Sequence, residues 1–220
     1  MQISKPNLLL ALVGAFLIVC AEYAVAQSSS SDAKMDALLE GTIYTVPHRD
    51  TVEGKLTACG VEFAALKRDF KDRKGELVRI VGSFYIRPDG KGTLYYLLKL
   101  GVTDMTANFQ TFAPYNAFVS TPNDKVSIKP IRTPAETTGY ALFGGPLDSV
   151  ITAVLIGIQE KKQLNVGFNR VQGQTDFLTK VDLTVIDTQL KNDVPVRERS
   201  NETVATFNRC MADLISPILK

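Results

Sequence analysis

The sequence predicts a mainly β protein of the α+β class, an antiparallel β-sandwich or bent sheet with one helix before the last hairpin and a C-terminal helix. Through most of the chain after residue 41, apolar residues alternate with polar ones, which is typical of half-buried strands. Two later stretches place their apolar residues three and four positions apart, which is typical of helices. The composition, 45% hydrophobic and 22% charged, is that of a globular domain and excludes a wholly disordered chain.

Residues 1–26 carry the three parts of a secretory signal peptide in order. Lys5 supplies the positive charge, an apolar run extends from Leu8 to Cys20, and Ala24-Val25-Ala26 is a cleavage site of small residues. The run is shorter than the roughly 20 apolar residues of a membrane span, and Val19 before Cys20 is larger than lipoprotein signals usually carry. We therefore expect a periplasmic or secreted protein with no membrane span after cleavage.

Cleavage at this site gives a direct prediction for the exported protein. Because signal peptidases cut after small residues, the mature chain should begin near Gln27. The intact mass of protein from the exported fraction should lack residues 1–26. A full-length mass in that fraction would contradict the assignment.

Residues 27–40 are interpreted as a flexible polar leader with a short helix, and residues 41–220 as a single globular domain. A proline-rich stretch from Pro114 to Pro134 is the candidate for a linker. The region 67–74 mixes five positive with two negative side chains and is interpreted as a solvated loop between strands.

Three early strands are predicted, each with one apolar face. Their apolar faces comprise Cys59, Val61, Phe63 and Ala65; Val78, Ile80, Phe84 and Ile86; and Leu94, Tyr96, Leu98 and Leu100. In the first strand, Glu62 faces away from this apolar side. The proline and glycines of 87–92 predict a hairpin connection between the second and third strands.

Four aromatic residues recur at every third position in the loop-rich middle of the chain: Phe109, Phe112, Tyr115 and Phe118. They are candidates for a ligand pocket or a partner surface. The alternative is that they are buried and anchor the loop in the core. Short strands are predicted at 127–132 and 138–143 on either side of Pro134.

The last third of the chain predicts a helix, a hairpin and a final helix. Asp148 or Ser149 can cap a helix over about 150–162, with a strand as the alternative because the segment is rich in β-branched residues. Alternation at 164–168 and 177–185 predicts the hairpin, and 192–199 is interpreted as a polar link. The final helix begins near Ser200 and has the apolar stripe Val204, Phe207, Met211 and Leu214.

This order of elements has three marked features: Lys161-Lys162 after the first helix, a turn at Gly173 and Phe207-x-x-Cys210 in the last helix. In this order the segment resembles small exported bacterial proteins. Proteins of the invasion-associated locus B type are an example. The resemblance covers roughly Ser149 to Leu214, and the first half of the chain has no comparable match. It implies an exported protein and assigns no site residue.

Cys59 and Cys210 are the two cysteines that remain after the signal peptide, and cysteines of exported proteins usually pair. Cys59 lies on the apolar face of a predicted strand, and Cys210 borders the apolar stripe of the last helix. Because both faces belong to one core, we predict a Cys59–Cys210 disulfide. Two free buried thiols are the alternative.

No nucleotide-binding loop, nucleophile elbow, zinc motif or calcium loop occurs in the sequence, so we expect no cofactor, no metal and no catalytic residues. A net charge of +2 is too small to indicate nucleic-acid binding. The expected function is a non-catalytic exported protein that binds an unknown protein or small ligand, or is an envelope component. The alternatives are a carrier of a small ligand and an enzyme with a site near His48 and Asp50.

Overall fold

The computed structural model describes residues 39–89, 92–105, 109–121, 131–174 and 176–217. The predicted signal peptide, the leader up to residue 38 and most of the strand predicted at 127–132 lie outside the described residues. The strands are β1 (Gly41–Val52), β2 (Lys55–Asp69), β3 (Glu76–Pro88), β4 (Leu94–Asp104), β5 (Thr111–Phe112), β6 (Asn116–Ser120), β7 (Ile131–Pro134), β8 (Ala141–Pro146), β9 (Gln163–Asn169), β10 (Phe177–Asp182), β11 (Val185–Lys191) and β12 (Val194–Arg199). The helices are α1 (Ser149–Lys161) and α2 (Glu202–Ile215).

Seven strands form one antiparallel main sheet in the order β1-β2-β3-β4-β8-β7, with β5 paired to β4. The apolar faces predicted for the three early strands all point inward from this sheet, and the prediction is confirmed. Val61, Phe84 and Leu98, one from each strand, have no exposed surface. Because side chains alternate along a strand, the residues between them line the outer face of the sheet.

The inner face packs against a second layer, which consists of the sheet β10-β9-β6 and the two helices. Together they form a mainly β fold of the α+β class, as predicted. In α1 the alternative of a strand is wrong, because the carboxylate of Asp148 accepts a hydrogen bond from the Ile151 amide at 2.8 Å and caps the helix. The helix ends at Lys161, and the residue after it, Lys162, has a left-handed backbone with φ 53°.

A second hairpin follows the predicted one, and the interpretation of 192–199 as a polar link is wrong. β10 ends at Asp182, and after the turn at 183–184 the chain forms β11, which pairs with β12. This ribbon is fixed to β1 by side chains. The Thr188 hydroxyl donates to the Ile43 carbonyl at 2.7 Å, and the Arg197 guanidinium donates to the Thr42 carbonyl at 3.2 Å.

Helix α2 is attached to the main sheet by a covalent bond and by buried hydrogen bonds. Cys59 and Cys210, the predicted pair, form a disulfide with their Cα atoms 5.7 Å apart. At the other end of the helix, the buried Thr45 hydroxyl lies 3.3 Å from that of Thr203 and 2.9 Å from the Val185 carbonyl. No helix in the described part of the chain is long and apolar enough to cross a membrane.

Candidate functional site

A groove of about 640 Å³ lies on the outer face of the main sheet. Residues of β1 to β4 form its floor and one bank, and the turn between β7 and β8 forms the opposite bank. Two rows of the strand register cross the floor. Glu62, Ser83 and Lys99 are paired across β2, β3 and β4, and the neighbouring row pairs His48, Gly60 and Tyr85 across β1, β2 and β3.

One bank of the groove holds a hydrogen-bonded network centred on His48. Its Nε2 lies 2.6 Å from Oδ1 of Asp50, and its Nδ1 lies 3.0 Å from Oε1 of Glu62. The Tyr85 hydroxyl donates to the same Glu62 oxygen at 3.2 Å, and the Tyr85 ring meets the imidazole edge-on with centroids 5.3 Å apart. Three side chains from three different strands therefore fix the orientation of the imidazole.

Tyr85 is held in its position by a glycine beneath it. Its ring covers Gly60, where an added Cβ would lie 2.2 Å from Cδ1 of the ring. Burial is the main cause that raises the pKa of Tyr85 to about 12, a hydrogen bond to Ser83 lowers it, and the nearby charge of Glu62 raises it further. The phenol therefore stays protonated at neutral pH and remains a hydrogen-bond donor.

Next to the opposite bank, the floor ends in a cation, Lys99 of β4, and the turn contributes a second tyrosine, Tyr140. The Lys99 ammonium donates to the Thr137 hydroxyl at 3.1 Å and lies 5.2 Å from the centroid of the Tyr140 ring. Tyr140 covers Gly101 as Tyr85 covers Gly60, since an added Cβ at Gly101 would be 2.6 Å from the ring. Glu136 in the same turn and Arg87 of β3 also line the groove. The groove thus has carboxylates on both sides, two cations and a tyrosine ring on each side.

The four aromatic residues singled out from the sequence lie outside the groove and differ in burial. Phe118 is buried, Phe112 packs against the core, Phe109 is 66% exposed and Tyr115 is 39% exposed. None of the four is among the residues that line the groove. The site near His48 and Asp50, given as an alternative from the sequence, is the part of the prediction that coincides with the groove. Glu62, which the sequence predicted to face away from the core, lies on the same bank as His48.

A separate cluster of charges lies largely buried at the ends of β2 and β4. The Arg170 guanidinium donates to Asp69 at 3.0 Å and to Asp104 at 2.8 Å, and Arg73 also pairs with Asp104. Burial alone would raise the pKa of Asp104, but its hydrogen bonds to Arg73 and Arg170 outweigh burial and hold that pKa below its ordinary value. The interpretation of 67–74 as a solvated loop is wrong for Asp69, which has no exposed surface.

Within the part of the chain that the structure describes, no group of three or more His, Cys, Asp and Glu side chains is arranged to hold a metal ion. Comparisons with protein-family models, with curated proteins and with solved structures gave no match. The function therefore has to be inferred from the groove itself.

Proposed function

We propose that the protein is an exported, non-catalytic binding protein that holds a small polar ligand in the groove on the outer face of its main sheet. The observation that carries this proposal is the network around His48, in which each ring nitrogen faces a carboxylate. Concave sites with a few convergent polar groups are the usual form of small-molecule sites. The signal peptide supports export of the chain, as does its pair of cysteines.

An enzyme is the second candidate, because the contact of His48 with Asp50 is one half of a nucleophile-activating arrangement. The other half would be a hydroxyl or thiol on the remaining ring nitrogen. That nitrogen faces Glu62, whereas Ser83 bonds to Tyr85 and Thr137 bonds to Lys99. The geometry favours hydrogen bonding to a ligand over proton abstraction from a nucleophile.

The turn between β7 and β8 offers a matched pair of variants for testing the site. Thr137 lines the groove, and its neighbour Thr138 does not. Thr137→Arg should fill the groove and abolish binding, whereas Thr138→Arg adds the same charge and volume outside it and should leave affinity within about twofold. Binding to the wild type and to each variant is measured by ligand-observed NMR with mixtures of amino acids, short peptides, organic acids and oligosaccharides. Equal loss in the two variants, or binding that neither affects, would contradict the proposed site.

The same samples distinguish binding from catalysis. The proton spectrum of a bound ligand should stay unchanged during prolonged incubation with the wild-type protein. His48→Ala should alter affinity and leave that spectrum equally unchanged. Conversion of the ligand by the wild type that disappears in His48→Ala would establish the enzyme and overturn the non-catalytic proposal.

A further inference from the structure

We infer that the ligand of this groove is a neutral oligosaccharide, recognised through its hydroxyl groups and the apolar faces of its sugar rings. The inference rests on the proposed function, because it names the ligand class of the same site. Three features carry it: the acceptor and donor at the two ends of the floor row, the position of the two tyrosines, and the mixture of charges that lines the groove.

A sugar hydroxyl both donates and accepts hydrogen bonds, so a polyol needs donors and acceptors side by side. In the row that crosses the floor, Glu62 provides a carboxylate that accepts and Lys99 an ammonium that donates. Ser83 between them is only 5% exposed and bonds to Tyr85, so it is not counted as a ligand-binding group. Neighbouring strands lie about 4.8 Å apart, so the row spans roughly 10 Å of floor. Hydroxyls of one sugar chain can therefore meet the carboxylate at one end of the row and the ammonium at the other.

Tyr85 and Tyr140 supply surfaces for the apolar faces of the rings. Each covers a glycine of the sheet, Gly60 and Gly101, so the ring rests where a side chain would otherwise stand. Each is half-buried, and the part that remains exposed lines the groove. Tyrosine combines such an apolar ring with a polar hydroxyl, which suits a ligand that has C–H faces and hydroxyl edges.

The charge of the groove argues against a strongly charged ligand. Three carboxylates and two cations line the groove: Asp50, Glu62, Glu136, Lys99 and Arg87. A polyanion or a polycation would therefore meet like charges there. A neutral ligand can use both banks.

A peptide strand is also a poor fit to this surface. β2, β3 and β4 are each paired with a strand on both sides, so their backbone groups are used and cannot pair with an added strand. Proline-rich peptides dock in aromatic grooves, and they are the main competing ligand class. The mixture of carboxylate and ammonium groups across the floor fits a polyol better than it fits proline rings.

The test is a glycan array that presents neutral α- and β-linked hexose and N-acetylhexosamine chains beside sulfated and uronate chains, followed by NMR titration of the best neutral tetrasaccharide. A proline-rich decapeptide is titrated in parallel. Glu62→Gln and Tyr140→Ala should each weaken the neutral oligosaccharide roughly tenfold or more, since each removes a charged hydrogen-bond acceptor or a ring surface. Their matched controls, Glu198→Gln on β12 and Tyr115→Ala, should stay within about twofold. Circular dichroism establishes that all four variants fold.

The outcomes separate this inference from the proposed function. Groove-dependent binding of the decapeptide or of a charged glycan, with no neutral oligosaccharide bound, overturns the carbohydrate inference and leaves a binding protein. If a neutral oligosaccharide binds Glu62→Gln and Tyr140→Ala with the affinity of the wild type, the proposed site is overturned. If the wild type cleaves the oligosaccharide and Glu62→Gln abolishes the cleavage, the ligand class is supported. The non-catalytic part of the proposed function is then overturned. Binding of no probe overturns the carbohydrate inference.

Discussion

Arg170→Met is expected to lower the free energy of unfolding by about 3–5 kcal/mol, the range for breaking a buried ion pair from one side. Arg170 is only 13% exposed and bridges Asp69, which is fully buried, to Asp104. Methionine fills much of the space but leaves both carboxylates without their shared partner. The cost is the desolvation of charges that folding can no longer compensate.

Urea unfolding of the variant measures this effect, and Arg199→Met is its matched control. Arg199 makes an even closer ion pair with Asp182, at 2.6 Å, but 56% of its side chain is exposed. Exposed pairs contribute about 0–1 kcal/mol, so the control should remain close to the wild type. Equal losses of unfolding free energy in the two variants would show that burial does not determine how much the Arg170 ion pairs stabilise the fold.

The same variant should respond differently to acid. The folded-state pKa of Asp104 lies below its ordinary value of 3.8, so its ionised form stabilises the fold above that value. This contribution is lost as the pH falls through the lowered pKa. The difference in unfolding free energy between the wild type and Arg170→Met should therefore be constant near neutral pH and shrink from about pH 5 downward. A difference that grows in acid would contradict the assignment.

The inner faces of the strands were predictable because alternation is a local property of the chain. Val61 and Phe63, for example, alternate with Glu62, and this pattern alone predicts that they lie on a buried face. The cap of α1 is equally local, since the Asp148 carboxylate accepts a hydrogen bond from an amide only three residues later. The Cys59–Cys210 pair was predictable because these are the two cysteines after the predicted signal peptide and both lie on apolar faces.

The groove and the buried charges depend on register, which the sequence does not display. His48, Glu62 and Tyr85 meet because three strands align, and a shift of one residue would turn each side chain to the other face. Asp69 and Arg170 are 101 residues apart in the chain. A run of mixed charges is usually solvated, and most of 67–74 is. Asp69 is buried at the end of β2, where Arg170 of the β9–β10 turn binds it together with Asp104.

The β11–β12 hairpin was missed for a different reason. Both of its faces are largely exposed, so its residues show no apolar alternation. Its tight turn uses Asn192 and Asp193 at positive φ, 51° and 61°, a conformation that these two residue types tolerate better than most. The pair Asn-Asp between two runs of strand formers was therefore the available signal.

Loss of the disulfide is expected to have an effect of similar size by another route. The bond joins residues 151 apart, and the chain-entropy model gives about 5 kcal/mol for a loop of that length, as an upper figure. The Cys59→Ala, Cys210→Ala double variant should therefore unfold at lower urea concentration and lower temperature. Thiol labelling of the unfolded, unreduced exported protein should find no free cysteine.

The origin of the effect can be tested, because other contacts also hold α2 in place. Thr45 and Thr203 are hydrogen-bonded at its start, and Arg49 pairs with Asp213 near its end at 3.2 Å. The folded structure should therefore persist without the bond, with an unchanged circular dichroism spectrum and lower stability, since the bond acts mainly by restricting the unfolded chain. A reducing agent should destabilise the wild type to the level of the double variant and leave the double variant unaffected. Destabilisation of both by the reducing agent, or full thiol labelling of the native exported protein, would contradict the role assigned to this disulfide.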